Sequence, residues 1–321
     1  MDSQWFTVIS KELEEVEALI GSIVHSNNDE LNDMCRYVIT SGGKRIRPAM
    51  CILSYFACGG KDPKKAIEVG SAFEIVHNAS LIHDDINDKS EIRRGRRTLH
   101  KEYCVSKAIV AGDFMMAKGF QAIGSASNDV VDVIVEAASS MSEGEFVQKD
   151  FEHASIVTEK DYFEIIHGKT AMLINASAKS GAFLAKANID LTNAISEYAT
   201  NIGIAFQVID DVLDVVGDSK STGKRVGIDL IEGKPTLPTI YAMRDVIHGP
   251  KICEVFSRID VTDEDVAEAL ELIKKTDSIE KCRLKAEKAA DKAIESIGNI
   301  PDSEYKDAFI SLARYIVSRD R

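Results

Sequence analysis

Apolar residues recur along the chain at spacings of three and four rather than two, which is the period of an amphipathic helix. Strand-like alternation is rare and short, and only six prolines interrupt the pattern. At ordinary helix and loop lengths the sequence therefore predicts an all-α protein of about ten to fourteen helices. The segment 197–216 is the clearest example, because its apolar residues Ile202, Ala205, Phe206, Ile209, Val212, Leu213 and Val216 share one broad face.

Turn-forming residues mark the helix ends, but nothing divides the chain into domains. Neither an internal repeat nor a low-complexity linker is present, so we expect a single domain over residues 1–321. The longest polar stretch, 217–238, is predicted to be a binding loop or lid, since long structureless connections are otherwise uncommon in compact domains. The predicted breaks are TSGGKRIRP (40–48), CGGKDP (58–63), SASNDV (125–130) and GDSKSTGKRVGIDLIEGKPTLP (217–238).

Charge and cysteine usage exclude several classes of partner. The net charge of −13 argues against a nucleic-acid partner, which is held mainly by accumulated Lys and Arg. No stretch approaches the roughly 20 apolar residues of a membrane span, so no transmembrane segment is expected. The six cysteines form no CxxC pair, and the acidic segment MDSQWFTVISKELEEVEALI does not resemble a secretory signal. We therefore expect a cytoplasmic location.

Two carboxylate clusters share the spacing DDxxD. On a helix the first and third carboxylates lie one above the other, and their repulsion does nothing for helix stability. A hard divalent cation reverses that cost, because Mg²⁺ is typically held by one or two carboxylates together with substrate phosphates. A solvated acidic patch is the alternative for one cluster, but two clusters inside apolar segments predict several Mg²⁺ ions around a diphosphate. The predicted metal ligands are Asp84, Asp85, Asp88, Asp210, Asp211 and Asp214.

Basic residues near both clusters are candidates for phosphate binding. Guanidinium groups match phosphate oxygens in a bidentate way, and a helix start after GG favours an anion. Four arginines follow the first cluster, and Gly95 is expected to break the helix among them. The absence of a GxxxxGK[ST] sequence argues against ATP. The candidates are Lys44, Arg45 and Arg47 in GGKRIRP, Arg93, Arg94, Arg96 and Arg97, and the loop lysines Lys224 and Lys234, for which flexible surface lysines are the alternative.

Taken together, these segments resemble the trans-isoprenyl diphosphate synthases of the polyprenyl synthetase family. The resemblance implies an isoprenoid synthase fold with one helical bundle around a deep central cavity, and usually a homodimer. It also implies a Mg²⁺-dependent reaction in which isopentenyl diphosphate attacks the cation of an ionised allylic diphosphate. The matching blocks are GGKRIRP (42–48), EIVHNASLIHDDINDKSEIRRG (74–95), GDFMMAKGF (112–120), HGKTAMLI (167–174), GIAFQVIDDVLDV (203–215) and GKRVGIDLIEGKPTLP (223–238), in the family's order.

The resemblance also implies roles for individual residues. Both aspartate motifs would hold metal ions against an allylic diphosphate, which is dimethylallyl, geranyl, farnesyl or geranylgeranyl diphosphate. His77 lies two turns before Asp84 and Gln207 one turn before Asp211, so both can reach the same cleft. The implied allylic site comprises Arg93, Lys169, Lys224 and Lys234, the implied isopentenyl site Lys44, Arg47, His77 and Arg94, and the implied catalytic residues Lys169, Thr170 and Gln207.

Side-chain size before the first aspartate motif bears on product length. In short-chain family members bulky aromatics commonly occupy the fourth or fifth position before the first aspartate, where this chain has the small Ser80 and Ala79. Val76 lies a turn deeper and Phe73 a turn deeper again, so Phe73 is the candidate floor. A floor two or three turns deeper lies roughly 10 to 16 Å further along the helix. We therefore expect a product from geranylgeranyl to about hexaprenyl diphosphate.

Two other functions remain open at this point. A class I terpene cyclase is also all-helical and uses DDxxD with Mg²⁺, although its second metal site usually has an Asn/Ser/Glu pattern. A non-catalytic partner that regulates another synthase would be expected to lose aspartates or GGKRIRP, and both are intact here.

Overall fold

The computed structural model describes residues 4–217 and 226–319, and it confirms the all-α prediction. Helices make up 74% of the structure, and a two-stranded hairpin is the only sheet in the described ranges. Several helices are single turns of four residues, which the expectation of ten to fourteen helices of ordinary length did not anticipate. Within those same ranges no helix is both long and apolar enough to cross a bilayer.

Side-chain caps fix where several helices begin. Asn28 accepts a hydrogen bond from the Leu31 amide at 3.0 Å and starts the third helix. Thr158 and Asp161 exchange side-chain and backbone hydrogen bonds in a capping box. Such contacts satisfy amide groups that have no partner inside the helix. The starts of these helices therefore follow from capping residues in the local sequence.

The internal contacts of the chain define two compact units, each built from three stretches. Unit 1 comprises Met1–Ala138, Leu173–Ala199 and Ser296–Leu312. Unit 2 comprises Ser139–Met172, Thr200–Glu295 and Ala313–Arg321. Whether the chain unfolds as the predicted single domain is a question of cooperativity, so that prediction stays a prediction.

Unit 1 is organised around one long helix, α5 (Lys64–Asn87). Its residues are buried on nearly every side, including the polar Ser71, Glu74 and Asn78. Three helices pack against it, namely α2 (Ser10–Ile23), α4 (Ile46–Ala57) and α7 (Val105–Ile123). The elements that lie in or begin in this unit are α1 (Gln4–Thr7), α2 (Ser10–Ile23), α3 (Asp29–Ile39), α4 (Ile46–Ala57), α5 (Lys64–Asn87), β1 (Ile92–Arg93), β2 (Arg96–Arg97), α6 (Leu99–Glu102), α7 (Val105–Ile123), α8 (Asn128–Phe151), α11 (Ile189–Val216) and α17 (Glu304–Val317), together with nearly all of α10 (Met172–Leu184).

Unit 2 contains shorter helices packed on the second half of α11. The apolar face predicted for this helix is confirmed in its main part, since Ile202, Ala205, Ile209 and Val212 are at most 1% exposed and Leu213 is 8% exposed. Phe206 and Val216, also predicted for that face, are only half-buried. The elements that lie in or begin in this unit are α9 (Glu159–Ile166), a π turn (His167–Ala171), α12 (Ile228–Ile231), α13 (Leu237–Ala242), α14 (Gly249–Phe256), α15 (Asp263–Lys274) and α16 (Ser278–Ser296).

Two predictions about unit 1 are wrong in detail. The helix of the first aspartate motif ends at Asn87 rather than at Gly95, and the four arginines lie on the β1–β2 hairpin. Arg94 and Gly95 both have positive φ, at 51° and 75°, as a tight hairpin turn requires. Arg45 is buried in ion pairs with Glu17 and Glu74. It is therefore part of the fold and not a candidate for phosphate binding.

The stretch 217–238 also differs from the predicted long loop. In its described part, residues 228–231 form α12, and α13 begins at Leu237. Gly227 has φ +77° and begins the turn into α12. The remainder, 218–225, lies outside the described residues. The loop prediction therefore fails for the segment that carries Asp229.

Candidate active site

The first aspartate motif lies at the C-terminal end of α5. Asp84 and Asp88 are half-buried, whereas Asp85 is 5% exposed. Arg93 reaches back from β1, and its Nε lies 2.6 Å from Asp85 Oδ1. The hairpin thus brings a guanidinium onto the predicted metal-binding motif. A buried carboxylate needs such a partner, since an uncompensated charge there is costly.

Arg94 connects the hairpin to the GG turn that precedes α4. Its guanidinium donates to the carbonyl oxygen of Gly42, and Nη1 lies 3.4 Å from Ser41 Oγ. His77 lies close enough to Arg47, Arg94 and Arg93 for burial and these charges together to lower its pKa well below the usual 6.5. The imidazole is therefore neutral at physiological pH. The structure brings these four predicted residues into one basic cluster, while Lys44 is exposed on the same turn.

The predicted chain-length residues line one stretch of α5. Phe73, Val76 and Ala79 are fully buried, and Ser80 is 9% exposed. Val76 points toward α7, because a Cβ placed on Gly119 would lie 2.7 Å from Val76 Cγ2. The small Ser80 and Ala79 thus lie at the fourth and fifth positions before Asp84, and a fully buried aromatic, Phe73, lies about two turns deeper.

The second aspartate motif lies on α11 in unit 2, and its middle member is held from both sides. Asp211 Oδ2 accepts a hydrogen bond from Tyr162 Oη at 2.6 Å, and Oδ1 accepts from Gln207 Nε2 at 2.8 Å. Gln207 in turn accepts from Thr170 Oγ1 at 2.9 Å. Burial, reinforced by Asp229 and Asp210, raises the pKa of Asp211 to about 8. The predicted catalytic pair Thr170 and Gln207 thus belongs to one network with the motif.

The outer members of this motif have different partners. Asp210 is paired with Arg319, whose Nη2 lies 2.7 Å from Oδ1. Asp214 accepts hydrogen bonds from the backbone amides of Ile228 and Asp229 at 3.3 and 3.2 Å. Burial and the nearby Asp229 raise the pKa of Asp214 well above its usual value. The start of α12 therefore fixes the third aspartate.

Lys169 and Thr170 project from the π turn between α9 and α10. π turns are rare and often mark functional positions. Lys169 pairs with Glu145 of α8. Glycines allow helices α8 and α11 to approach the turn closely. A Cβ on Gly144 of α8 would lie 2.7 Å from Lys169 N, and a Cβ on Gly203 of α11 would lie 2.6 Å from the Cα of Ala171. The π turn is therefore packed backbone against backbone on α8 and α11.

Of the two predicted loop lysines, only Lys234 lies within the described residues. Lys234 pairs with Glu232, with Nζ 2.8 Å from Oε2. Lys224 lies outside the described residues. Its predicted contact with a diphosphate therefore stays a prediction.

The donor set fits Mg²⁺, although not as a closed protein cage. In residues 4–217 and 226–319, no three acidic, histidine or cysteine side chains converge to hold a metal on their own. Mg²⁺ does not require such a cage, because it retains waters and takes one or two carboxylates plus substrate phosphates. Burial, and after it the nearby Asp229, raises the pKa of Asp211 and Asp214, and a bound cation would favour the charged form of both carboxylates.

Sequence reasoning missed four residues that shape the site in unit 2. Asp229 lies in the segment GKRVGIDLIEGKPTLP (223–238) but outside the DDxxD spacing. It is close enough to Asp211 and Asp214 to raise the pKa of both. A buried tyrosine such as Tyr162 generally needs a partner, but nothing in the sequence says which one. Glu145 and Arg319 carry no spacing signal either.

Comparison with known proteins agrees with this fold. The polyprenyl synthetase family model matches residues 28–273. The geranylgeranyl diphosphate synthase of Saccharolobus solfataricus is 35% identical over 312 residues, covering 94% of this chain and 93% of the relative. The octaprenyl diphosphate synthase of Escherichia coli (strain K12) is 34% identical over 97% of both chains.

Solved structures give the same result. The crystal structure of a polyprenyl synthase from Caulobacter crescentus CB15, complexed with calcium and isoprenyl diphosphate, has a TM-score of 0.95 with this chain. The two are 29% identical, over 99% of this chain and 98% of that one. The chain belongs to the polyprenyl synthetase family, which confirms the predicted isoprenoid synthase fold and the enzyme class, a trans-prenyltransferase.

Proposed function

We propose that this protein is a Mg²⁺-dependent synthase that extends an allylic diphosphate with isopentenyl diphosphate to a product of geranylgeranyl to about hexaprenyl length. The family match carries the reaction type. The observation that best supports active chemistry, rather than a regulatory role, is the intact hydrogen-bonded network from Thr170 through Gln207 to Asp211. A subunit without catalysis has no need to keep that network.

The aspartates are proposed as the metal ligands of the reaction. Bound Mg²⁺ would act as a Lewis acid that stabilises the departing diphosphate. The contribution of the protein is to keep carboxylate oxygens available: Tyr162 and Gln207 orient Asp211, and the α12 amides orient Asp214. The proposed ligands are Asp84, Asp85, Asp88, Asp210, Asp211 and Asp214.

The basic cluster of unit 1 is proposed to bind isopentenyl diphosphate. Arg47, Arg94 and the neutral His77 are close together, and Lys44 is exposed on the adjoining turn. Arg–phosphate pairs are strong because two parallel N–H groups meet two oxygens. A neutral imidazole can donate one hydrogen bond without adding charge.

The allylic diphosphate is proposed to contact Arg93, Lys169, Lys224 and Lys234. Lys169 has a salt-bridge partner in Glu145, and Lys234 has one in Glu232, so each ammonium group is already oriented by a carboxylate. Thr170 and Gln207 present oxygen dipoles, which stabilise positive charge that develops only in the transition state. We assign no side chain as the base, and propose that the departing diphosphate takes the proton.

The product length is proposed from α5. Ala79 and Ser80 are small and buried, and the fully buried Phe73 is the proposed floor. We also propose a homodimer and a cytoplasmic location. The six cysteines, all within the described residues, are free thiols, as expected in a reducing compartment.

One incubation separates the proposed activity from its rivals. The protein is supplied with labelled isopentenyl diphosphate, Mg²⁺ and, in turn, dimethylallyl, geranyl, farnesyl and geranylgeranyl diphosphate. Chain extension supports the synthase and gives the preferred primer and final length. A cyclised hydrocarbon would instead indicate a terpene cyclase, and the absence of any product with every primer would indicate a regulatory partner.

A further inference from the structure

Two helices present the same spacing to the π turn. In α8 the segment is GEFVQ (144–148), and in α11 it is GIAFQ (203–207). In each, the glycine lies against the backbone of the turn. One helical turn later on the same face, a glutamine reaches the side chain that the turn presents. The π turn is therefore flanked by two glutamine amides, of which only Gln207 has a proposed role.

The two amides differ in how completely they are used. Gln207 accepts from Thr170 and donates to Asp211, so both of its polar atoms are engaged. Gln148 Oε1 lies 3.4 Å from Lys169 Nζ. Its Nε2, in contrast, is buried without an acceptor anywhere in residues 4–217 and 226–319, and the residue is 7% exposed. Buried donors are rarely left in that state, so each such group calls for a ligand or another explanation.

The position of this donor indicates the chemistry of its ligand. Gln148 Nε2 belongs to the same amide group as Oε1, which faces the Lys169 ammonium. A ligand bound by Lys169 would therefore lie close to Gln148 Nε2. An acceptor beside an ammonium is most favourably an anion, and phosphate oxygens accept from several donors at once. Because the GEFVQ segment of α8 packs against the π turn, it holds the Gln148 amide in place before a ligand binds.

We propose that Gln148 is a further substrate-binding residue, whose amide donates to the diphosphate of the allylic substrate beside Lys169. This inference rests on the proposed role of Lys169 in binding that diphosphate. A different role is that Gln148 only positions Lys169. The two roles differ in what happens when the donor is removed but the contact with Lys169 is kept.

Two substitutions separate these roles. Gln148→Met removes the donor at nearly constant size, and Gln148→Glu replaces it with a carboxylate that pairs with Lys169. Affinity for inorganic diphosphate in excess Mg²⁺ is measured by calorimetry on the full chain. We expect Gln148→Met to weaken binding about tenfold, the loss of one charge-assisted hydrogen bond. We expect Gln148→Glu to weaken it further, while its melting temperature is equal to or above that of the wild type.

The steady-state constants provide a second readout. KM for the allylic diphosphate should rise in both variants, while KM for isopentenyl diphosphate stays unchanged. Gln121→Met on α7 is the matched control, because Gln121 is exposed in unit 1. Its constants should equal those of the wild type.

Each outcome decides the proposal. Wild-type diphosphate affinity in Gln148→Met, or retained affinity in Gln148→Glu, would show that the amide does not touch the substrate, and the proposed function would stand without it. If the wild type itself neither binds diphosphate with Mg²⁺ nor transfers label, the proposed function fails and this inference fails with it.

Discussion

The buried ion pair between Arg45 and Glu74 offers a test of how the GG turn is held. Arg45 is 7% exposed and Glu74 is 2% exposed, and Arg45 Nη1 lies 2.9 Å from Glu74 Oε1. Arg45 has a left-handed backbone with φ 50°, which a non-glycine residue adopts only when its surroundings compensate. Its second carboxylate partner, Glu17, is 51% exposed. The two partners therefore allow a comparison within one site.

Glu74→Gln removes the buried charge at constant shape and leaves the guanidinium partly uncompensated. Breaking a buried pair costs about 3 to 5 kcal/mol, and because Glu17 and two carbonyl oxygens remain, we expect about 3 kcal/mol of lost unfolding free energy. Glu17→Gln should cost less than about 1 kcal/mol, as for exposed pairs. Urea unfolding followed by circular dichroism measures both.

Glu74→Gln should also weaken the binding of isopentenyl diphosphate, because it disturbs the GG turn. Arg45 and Arg94 both donate to the carbonyl oxygen of Gly42, so loosening Arg45 disturbs Arg94. KM for isopentenyl diphosphate should rise about tenfold, equivalent to about 1.4 kcal/mol, with little change for the allylic substrate. Equal destabilisation by Glu17→Gln and Glu74→Gln, or a loss below about 1 kcal/mol for Glu74→Gln, would refute the reasoning.

Three further predictions concern product length, the second aspartate motif and pH. Ala79→Phe should shorten the product and Phe73→Ala should lengthen it; chromatography showing unchanged lengths in both would reject Phe73 as the floor. Tyr162→Phe should lower kcat about tenfold or more, because Asp211 loses one of its two orienting donors, and should raise the Mg²⁺ concentration needed for half-maximal rate. The pKa of His77 is lowered in the folded protein, so the unfolded chain binds more protons and the free energy of unfolding falls as pH drops below about 6.5. The slope should be at most about 1.4 kcal/mol per pH unit. His77→Gln should lack that part of the slope, and identical pH dependence in the two proteins would contradict the assignment.

The fold was largely predictable because its signals are local. Helical periodicity and turn residues act within a few positions, so the all-α class and the apolar face around Ile209 follow from the sequence. The hairpin was not predicted because its turn depends on a left-handed backbone conformation at Arg94. The presence of an arginine in the sequence gives no indication of that conformation. Arg45 was misassigned because a lysine- and arginine-rich turn looks the same whether its charges face a ligand or a buried carboxylate such as Glu74.

The site was predictable where chemistry depends on spacing and unpredictable where it depends on tertiary contact. The DDxxD aspartates could be found from their repeat alone. Tyr162 lies 49 positions from Asp211 in the sequence, so only folding brings its hydroxyl to the carboxylate. The π turn that presents Lys169 has no recognised sequence signature, and its support by Gly144 and Gly203 appears only when three helices are packed.

The most direct test of the central claim is the rate of label transfer from isopentenyl diphosphate to an allylic primer as Mg²⁺ is titrated from zero. The aspartate motifs predict no transfer in EDTA, a saturable rise with Mg²⁺, and a shift of that rise to higher Mg²⁺ in both Asp84→Asn and Asp210→Asn. An equal rate in EDTA, or Mg²⁺ curves that neither substitution moves, would contradict the account.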